Sequence, residues 1–206
     1  MINKAEKYDK LTREVIAPVF PEIAGQFIET SGIHEGLCLD LGCGNGYLGL
    51  ALAEKSTLDV YLIDIDAEML AVAERNLNDR NLGSRVKVLL ADVHKMPFES
   101  NSADIIVSRG SVFFWQDQPK AFCEIYRVLA PGGKAFIGGG FGNSELKKQI
   151  DKEMQKRNPD WFEHLNKNIG PDAPDKFRSV LSEAGITNYH IDYSQVGLWI
   201  VLSKNK

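Results

Sequence analysis

The sequence predicts a doubly wound α/β fold: a mostly parallel, seven-stranded sheet with a C-terminal antiparallel hairpin. Three observations predict it. Short apolar runs at residues 37–41, 59–64, 86–92, 103–108 and 134–139 alternate with segments of helical periodicity, the pattern of a parallel sheet covered on both faces. The first run passes straight into a glycine-rich turn, GCGNG at 42–46, and then into a helix. The last two runs, NYHIDYSQ and VGLWIVLS, are linked too tightly for a parallel return and must pair antiparallel.

Taken in order, residues 3–32 read as two helices broken near Pro18 and Pro21. Ile16, Val19, Phe20, Ile23, Phe27 and Ile28 give them apolar positions at helical spacing. LCLDL is a short apolar strand, and Leu48 to Ala53 continue as a helix after the glycine turn. DVYLID is rich in β formers. Asp66 is placed to cap a helix over 67–78, where its side chain takes a free backbone N–H. VKVLLAD and ADIIVS are the third and fourth strands. A helix over 118–129 stops at Pro131-Gly132-Gly133, and KAFIGG is the fifth strand. A helix over 174–184, with Pro174 in its first turn, precedes the hairpin. Residues 140–171 exceed the usual α/β connection of about 2–6 residues and read as a lid or a solvated elaboration. The chain from 1 to 206 reads as one domain, with residues 1–34 as a helical cover.

Composition excludes several function classes. Lys and Arg total 24 against 28 Asp and Glu, a net charge of −4. That gives no basic stripe for neutralising phosphates, so nucleic acid is not the expected partner. Cys38, Cys43 and Cys123 are odd in number and form no CxxC, which excludes a disulfide framework and a zinc knuckle. No metal is expected. The N-terminal MINKAEKYDKLTREV lacks an apolar core, and no run approaches the roughly 18 residues of a membrane span. The expectation is a reduced, cytoplasmic protein with no membrane partner. Its oligomeric state is not legible.

The strand–glycine turn–helix unit is the main functional signal. Glycines let a backbone turn sharply and approach a ligand closely, and the following helix N-terminus offers free N–H groups. Gly44, Gly46 and Gly49 spell GxGxxG, the dinucleotide fingerprint, but the strand ends at Gly42. Counted from Gly42, the third dinucleotide glycine falls on Tyr47, so the working register is Gly42, Gly44 and Gly46. Asp40, near the strand end, suits a ligand with an ammonium group and is awkward beside a pyrophosphate. Asp64 ends the next strand at the same sheet edge, where a carboxylate accepts two hydroxyl protons well.

These stretches, with ADVHKMPF, ADIIVSRGSVFFW and FCEIYRVLAPGGKAFIG, resemble class I S-adenosylmethionine-dependent methyltransferases across residues 37–139. The small-molecule branch is the most similar. The resemblance implies a Rossmann-like methyltransferase fold with S-adenosylmethionine as cofactor. It implies that Asp40, Gly42, Gly44 and Gly46 hold the cofactor's methionine part and Asp64 its ribose. Ile65 and Met69 would flank the adenine, while Asp92 and the Val93 N–H meet its edge. Ser108 is expected to reach the cofactor too. A non-catalytic cofactor-binding or regulatory module on the same fold and a nicotinamide oxidoreductase are the alternative readings.

The acceptor is a small molecule of unread identity. Its expected lining is the loop after the fourth strand, with Arg109 and Trp115, and Tyr8 from the N-terminal cover; a salt bridge to a neighbouring Asp is the other role open to Arg109, and core packing is the favoured role of Phe113, Phe114 and Trp115. SRGSVFF lacks the Pro-Pro-aromatic loop of the family's amine and base methylases. None of His34, His94, His164 and His190 is nominated as a base. The N-terminal cover and the 140–171 segment are expected to be mobile and to close over the site.

Overall fold

The computed structural model describes residues 3–205. Seven strands form one sheet: β1 (Leu37–Leu41), β2 (Asp59–Asp64), β3 (Val86–Leu90), β4 (Ala103–Arg109), β5 (Leu129–Gly140), β6 (Tyr189–Ser194) and β7 (Gly197–Ser203). Their order is β3-β2-β1-β4-β5-β7-β6. The first five are parallel, and β7 is antiparallel to both β5 and β6. The chain winds outward in both directions from β1 and β4. The crevice outside their carboxyl ends is the topological switch point, where ligands of such sheets bind.

The helices are α1 (Lys4–Leu11), α2 (Val19–Ser31), α3 (Tyr47–Lys55), α4 (Ala67–Asn78), α5 (Gln118–Val128), α6 (Ser144–Arg157), α7 (Trp161–Ile169) and α8 (Ala173–Glu183). They bury two apolar layers. Phe27, Leu50, Leu52 and Ala73 fill one face of the sheet, and Phe122, Ile125, Phe177 and Leu181 fill the other. Both faces of β1 are therefore covered, which is why LCLDL has no alternating polar positions.

Several boundaries differ from expectation for local reasons. A π-turn, Thr12–Ile16, joins α1 to α2, and the break falls at Ala17-Pro18. Pro21 sits in the first turn of α2, where a missing N–H costs nothing. β3 ends at Leu90 because Asp92 leaves the ladder and bridges Lys95. β5 begins at Leu129, since the Pro-Gly-Gly insertion is absorbed as a register shift against β4. Asp66 caps α4 as expected, accepting from the Glu68 and Met69 N–H groups. No helix of the described residues is long and apolar enough to cross a membrane.

Candidate active site

The glycine turn leaves β1 at the switch point with all three motif glycines at positive φ: 62° at Gly42, 54° at Gly44 and 83° at Gly46. Their surroundings divide their roles. A Cβ on Gly42 would lie 2.3 Å from the Ser111 Cβ, so this glycine admits the β4 loop. A Cβ on Gly46 would lie 2.9 Å from Leu62 and 3.2 Å from Ala73, so this one seats α3 on the sheet. A Cβ on Gly44 would meet only the Tyr8 ring, at 3.5 Å. Of the three, Gly44 presents its backbone to open space.

Two carboxylates brace this loop. Asp64 accepts the Gly44 N–H at 2.8 Å and the Asp66 N–H at 3.0 Å. It stays partly exposed at the sheet edge and keeps lone pairs for incoming hydroxyls. Asp40 is buried beneath α3, with one oxygen accepting the Gly49 N–H at 2.8 Å. Burial pushes its carboxyl up to about 7, against the Gly49 bond and with a further push from Asp64.

Ile65, 72% exposed, and Met69 offer apolar surface beside Asp64. Asp92 forms a turn with His94, accepting its N–H at 2.9 Å and its Nδ1 at 2.6 Å. Those bonds, the backbone one foremost, hold its carboxyl below the usual range. The Val93 N–H donates to no protein acceptor among the described residues. Ser108 is buried and its hydroxyl pairs with Ser111 at 2.5 Å. Ser111 in turn donates to Leu41 O at 3.0 Å, so this pair ties the β4 loop to β1.

The acceptor side is assembled from distant segments. Arg109, the last residue of β4, donates from Nε to Gly140 O at 2.9 Å. It lines a cavity of about 160 Å³ with Phe113, Phe141, Trp161, His164 and Asn168. Tyr8, from α1, packs its ring over Gly44. The Trp115 ring packs against Phe122 at 6.1 Å, while Phe113 lines the cavity. A larger cavity, about 390 Å³, lies across Leu165 and Ile169, bounded by α6 and the β6–β7 turn. Neither the glycine turn nor Arg109 reaches it.

Sequence reasoning missed the residue that fastens the N-terminal cover. Asp9 is buried and accepts from Asn45 at 3.3 Å and Asn76 at 3.1 Å, and it pairs with Arg13 at 3.0 Å and Arg75 at 2.8 Å. Because Asn45 belongs to the glycine turn, α1 is locked to the loop it covers. In the 140–171 segment, α6 buries Ile150 and Met154, whereas α7 buries no residue fully and packs on the core through the partly buried Trp161, Leu165 and Ile169. α7 also supplies His164. No spacing marked Asp9 or His164, since their partners lie far away in sequence.

Comparisons with known proteins agree with this geometry. A family model described as a methyltransferase domain matches residues 39–137. The ubiquinone/menaquinone biosynthesis C-methyltransferase UbiE of Rickettsia prowazekii is 30% identical over 98% of this chain and 89% of its own length. Phosphoethanolamine N-methyltransferase 2 of Caenorhabditis elegans is 37% identical over 53% of this chain. That match spans only a quarter of the relative. A solved structure from Methanococcus maripaludis, provisionally assigned as an S-adenosyl-L-methionine-dependent methyltransferase, superposes with a TM-score of 0.95. It is 45% identical and covers 98% of this chain and 92% of its own. The chain belongs to the S-adenosylmethionine-dependent methyltransferase family.

Proposed function

We propose that the methyl group is delivered to a small-molecule acceptor seated between the ends of β4 and β5 and helix α7. The observation that carries this is the cavity of about 160 Å³ lined by Arg109, Gly139 and Gly140, at the carboxyl ends of β4 and β5 on the sheet edge that also carries the glycine turn. It is smaller than the roughly 300–1,000 Å³ of a drug-sized ligand's pocket and has no room for a nucleic-acid strand. The relatives named above are, by their names, a ubiquinone/menaquinone C-methyltransferase and a phosphoethanolamine N-methyltransferase. Both names support a small acceptor. A non-catalytic module would have no use for such a cavity. The three cysteines are free, which supports the cytoplasmic reading.

The residues present fit S-adenosylmethionine, which supplies a methyl group already activated on a sulfonium. Gly44 leaves the space that a side chain would fill, with Asp40 behind it. Asp64 would hold the ribose hydroxyls, Ile65 and Met69 the adenine faces, and Val93 and Asp92 its edge. What remains for the chain is alignment and exclusion of water. Tyr8 and α7 close the acceptor side. Among the side chains lining the cavity, His164 alone can take up a proton. Its Nδ1 lies 2.9 Å from Asp160 O, so it donates there and leaves Nε2 as the acceptor.

The test is incubation of the enzyme with methyl-labelled S-adenosylmethionine and a metabolite extract. Label in a low-mass product is the expected result. Label found only in macromolecules would overturn the reading.

A further inference from the structure

The cavity wall holds a charge without a counter-charge. Arg109 places its guanidinium 5.2 Å from the centre of the Phe20 ring and 5.8 Å from that of Phe141. Its Nε is spent on Gly140 O. Its two terminal nitrogens have no protein acceptor among the described residues, and no carboxylate pairs with it. Every other arginine behaves differently. Arg13, Arg75, Arg80, Arg127, Arg157 and Arg178 pair with carboxylates. Arg85 gives its terminal nitrogens to Leu58 O and Ala53 O. Arg109 ends β4 at the switch point, where burial lowers its pKa. A guanidinium remains charged in such surroundings, so its unspent N–H groups call for an anion.

The backbone is shaped to hold it there. Gly138, Gly139 and Gly140 end β5 with no side chains. A Cβ on Gly140 would lie 2.8 Å from the Trp199 indole nitrogen, and one on Gly139 would lie 3.3 Å from Phe113. At this side-chain-free strand end, Gly140 O accepts the Arg109 Nε–H. With two rings beside its guanidinium carbon and its Nε bonded to Gly140 O, the fork of terminal nitrogens is left for a ligand.

We propose that Arg109 binds an oxyanion of the acceptor, a carboxylate or a phosphate, through its terminal nitrogens. The substrate class is then a small anionic molecule, oriented by a two-pronged contact that a lysine cannot reproduce. This rests on the acceptor-cavity reading given above.

The experiment uses the full chain saturated with S-adenosylhomocysteine. Propionate, inorganic phosphate and the neutral isostere propionamide are titrated in while the Arg109 side-chain N–H signal is followed by NMR. Propionate or phosphate is expected to shift that signal saturably, and propionamide is not. Which anion saturates first distinguishes a carboxylate acceptor from a phosphate one. Arg109→Met, which keeps the packing between the rings, should lose anion binding by roughly 30-fold or more, and Arg109→Lys by about 10-fold. Both should bind S-adenosylhomocysteine within about 2-fold of wild type. Equal binding of propionamide and propionate would overturn the proposal. So would a loss of S-adenosylhomocysteine affinity in Arg109→Met, because Arg109 would then hold the cofactor's own carboxylate. Wild-type protein that binds S-adenosylhomocysteine but neither anion sinks the anion assignment alone. Wild-type protein that fails to bind S-adenosylhomocysteine sinks the site reading beneath it.

Discussion

On the β1–β2 side of the sheet edge, the ligand-facing groups are backbone and carboxylate: the Gly44 turn, Asp64 and the Val93 N–H. They follow one another along the chain, each at the end of its own strand. On the β4–β5 side the groups are Arg109, Phe141 and His164, drawn from segments far apart and closed by a helix that buries no residue fully and rests on the core through Trp161, Leu165 and Ile169. The first half is fastened to α1 through the contacts of Asp9 with Asn45 and Asn76, and the second is roofed by α7. A cofactor shared by many reactions suits the fixed half. An acceptor peculiar to one reaction suits the adaptable half.

The largest effect should come from Gly44→Val. The Gly44 φ is 54° and its Cβ space is free apart from Tyr8. The variant should fold at a strain of about 1–3 kcal/mol yet lose S-adenosylhomocysteine binding beyond calorimetric detection. Gly46→Val should instead lose stability in urea melts, as its side chain would strike Leu62 and Ala73. If the two variants behaved alike, the division of roles among the glycines would be wrong.

Asp9→Ala should lower stability by about 2–4 kcal/mol, since it strands two buried amides and frees two arginines. It should also raise hydrogen exchange in residues 4–16 and in the glycine turn. Unchanged exchange there would break the contrast between a pinned α1 and a loose α7. In the wild-type protein, residues 161–169 should exchange faster than residues 4–11 and gain protection with S-adenosylhomocysteine.

A smaller effect concerns pH. Asp40 has its pKa raised from 3.8 to about 7 in the folded chain. Between those values the native state binds more protons than the unfolded one, so this group's contribution makes stability fall as pH rises from about 4 through 7. Asp40→Asn should flatten that slope. An identical slope in wild type and variant would show that Asp40 is ionised throughout.

The legible part of the molecule is the part built from short-range signals. The five parallel strands fall where uniformly apolar runs lie, because burial on both faces leaves no polar alternation to blur them. The positive φ at Gly42, Gly44 and Gly46 follows from a turn that L side chains rarely make. Asp64 was legible as a strand-ending carboxylate. The pairing of Ser108 with Ser111 is not legible because it forms only when the loop folds back on Leu41. Nothing in SVFFW says which ring of the loop meets Phe122 and which lines the cavity. The contacts of Asp9, the two rings beside Arg109 and the place of His164 depend on remote segments, for which the sequence carries no period.

The most direct measurement is a crystal structure with S-adenosylhomocysteine bound. The ribose hydroxyls should lie on Asp64, the amino-acid part against Gly44, and the sulfur should face Tyr8 and the Arg109 cavity. A ligand that makes no contact with Asp64, or whose sulfur faces away from Arg109, would contradict the division of this edge into a cofactor half and an acceptor half.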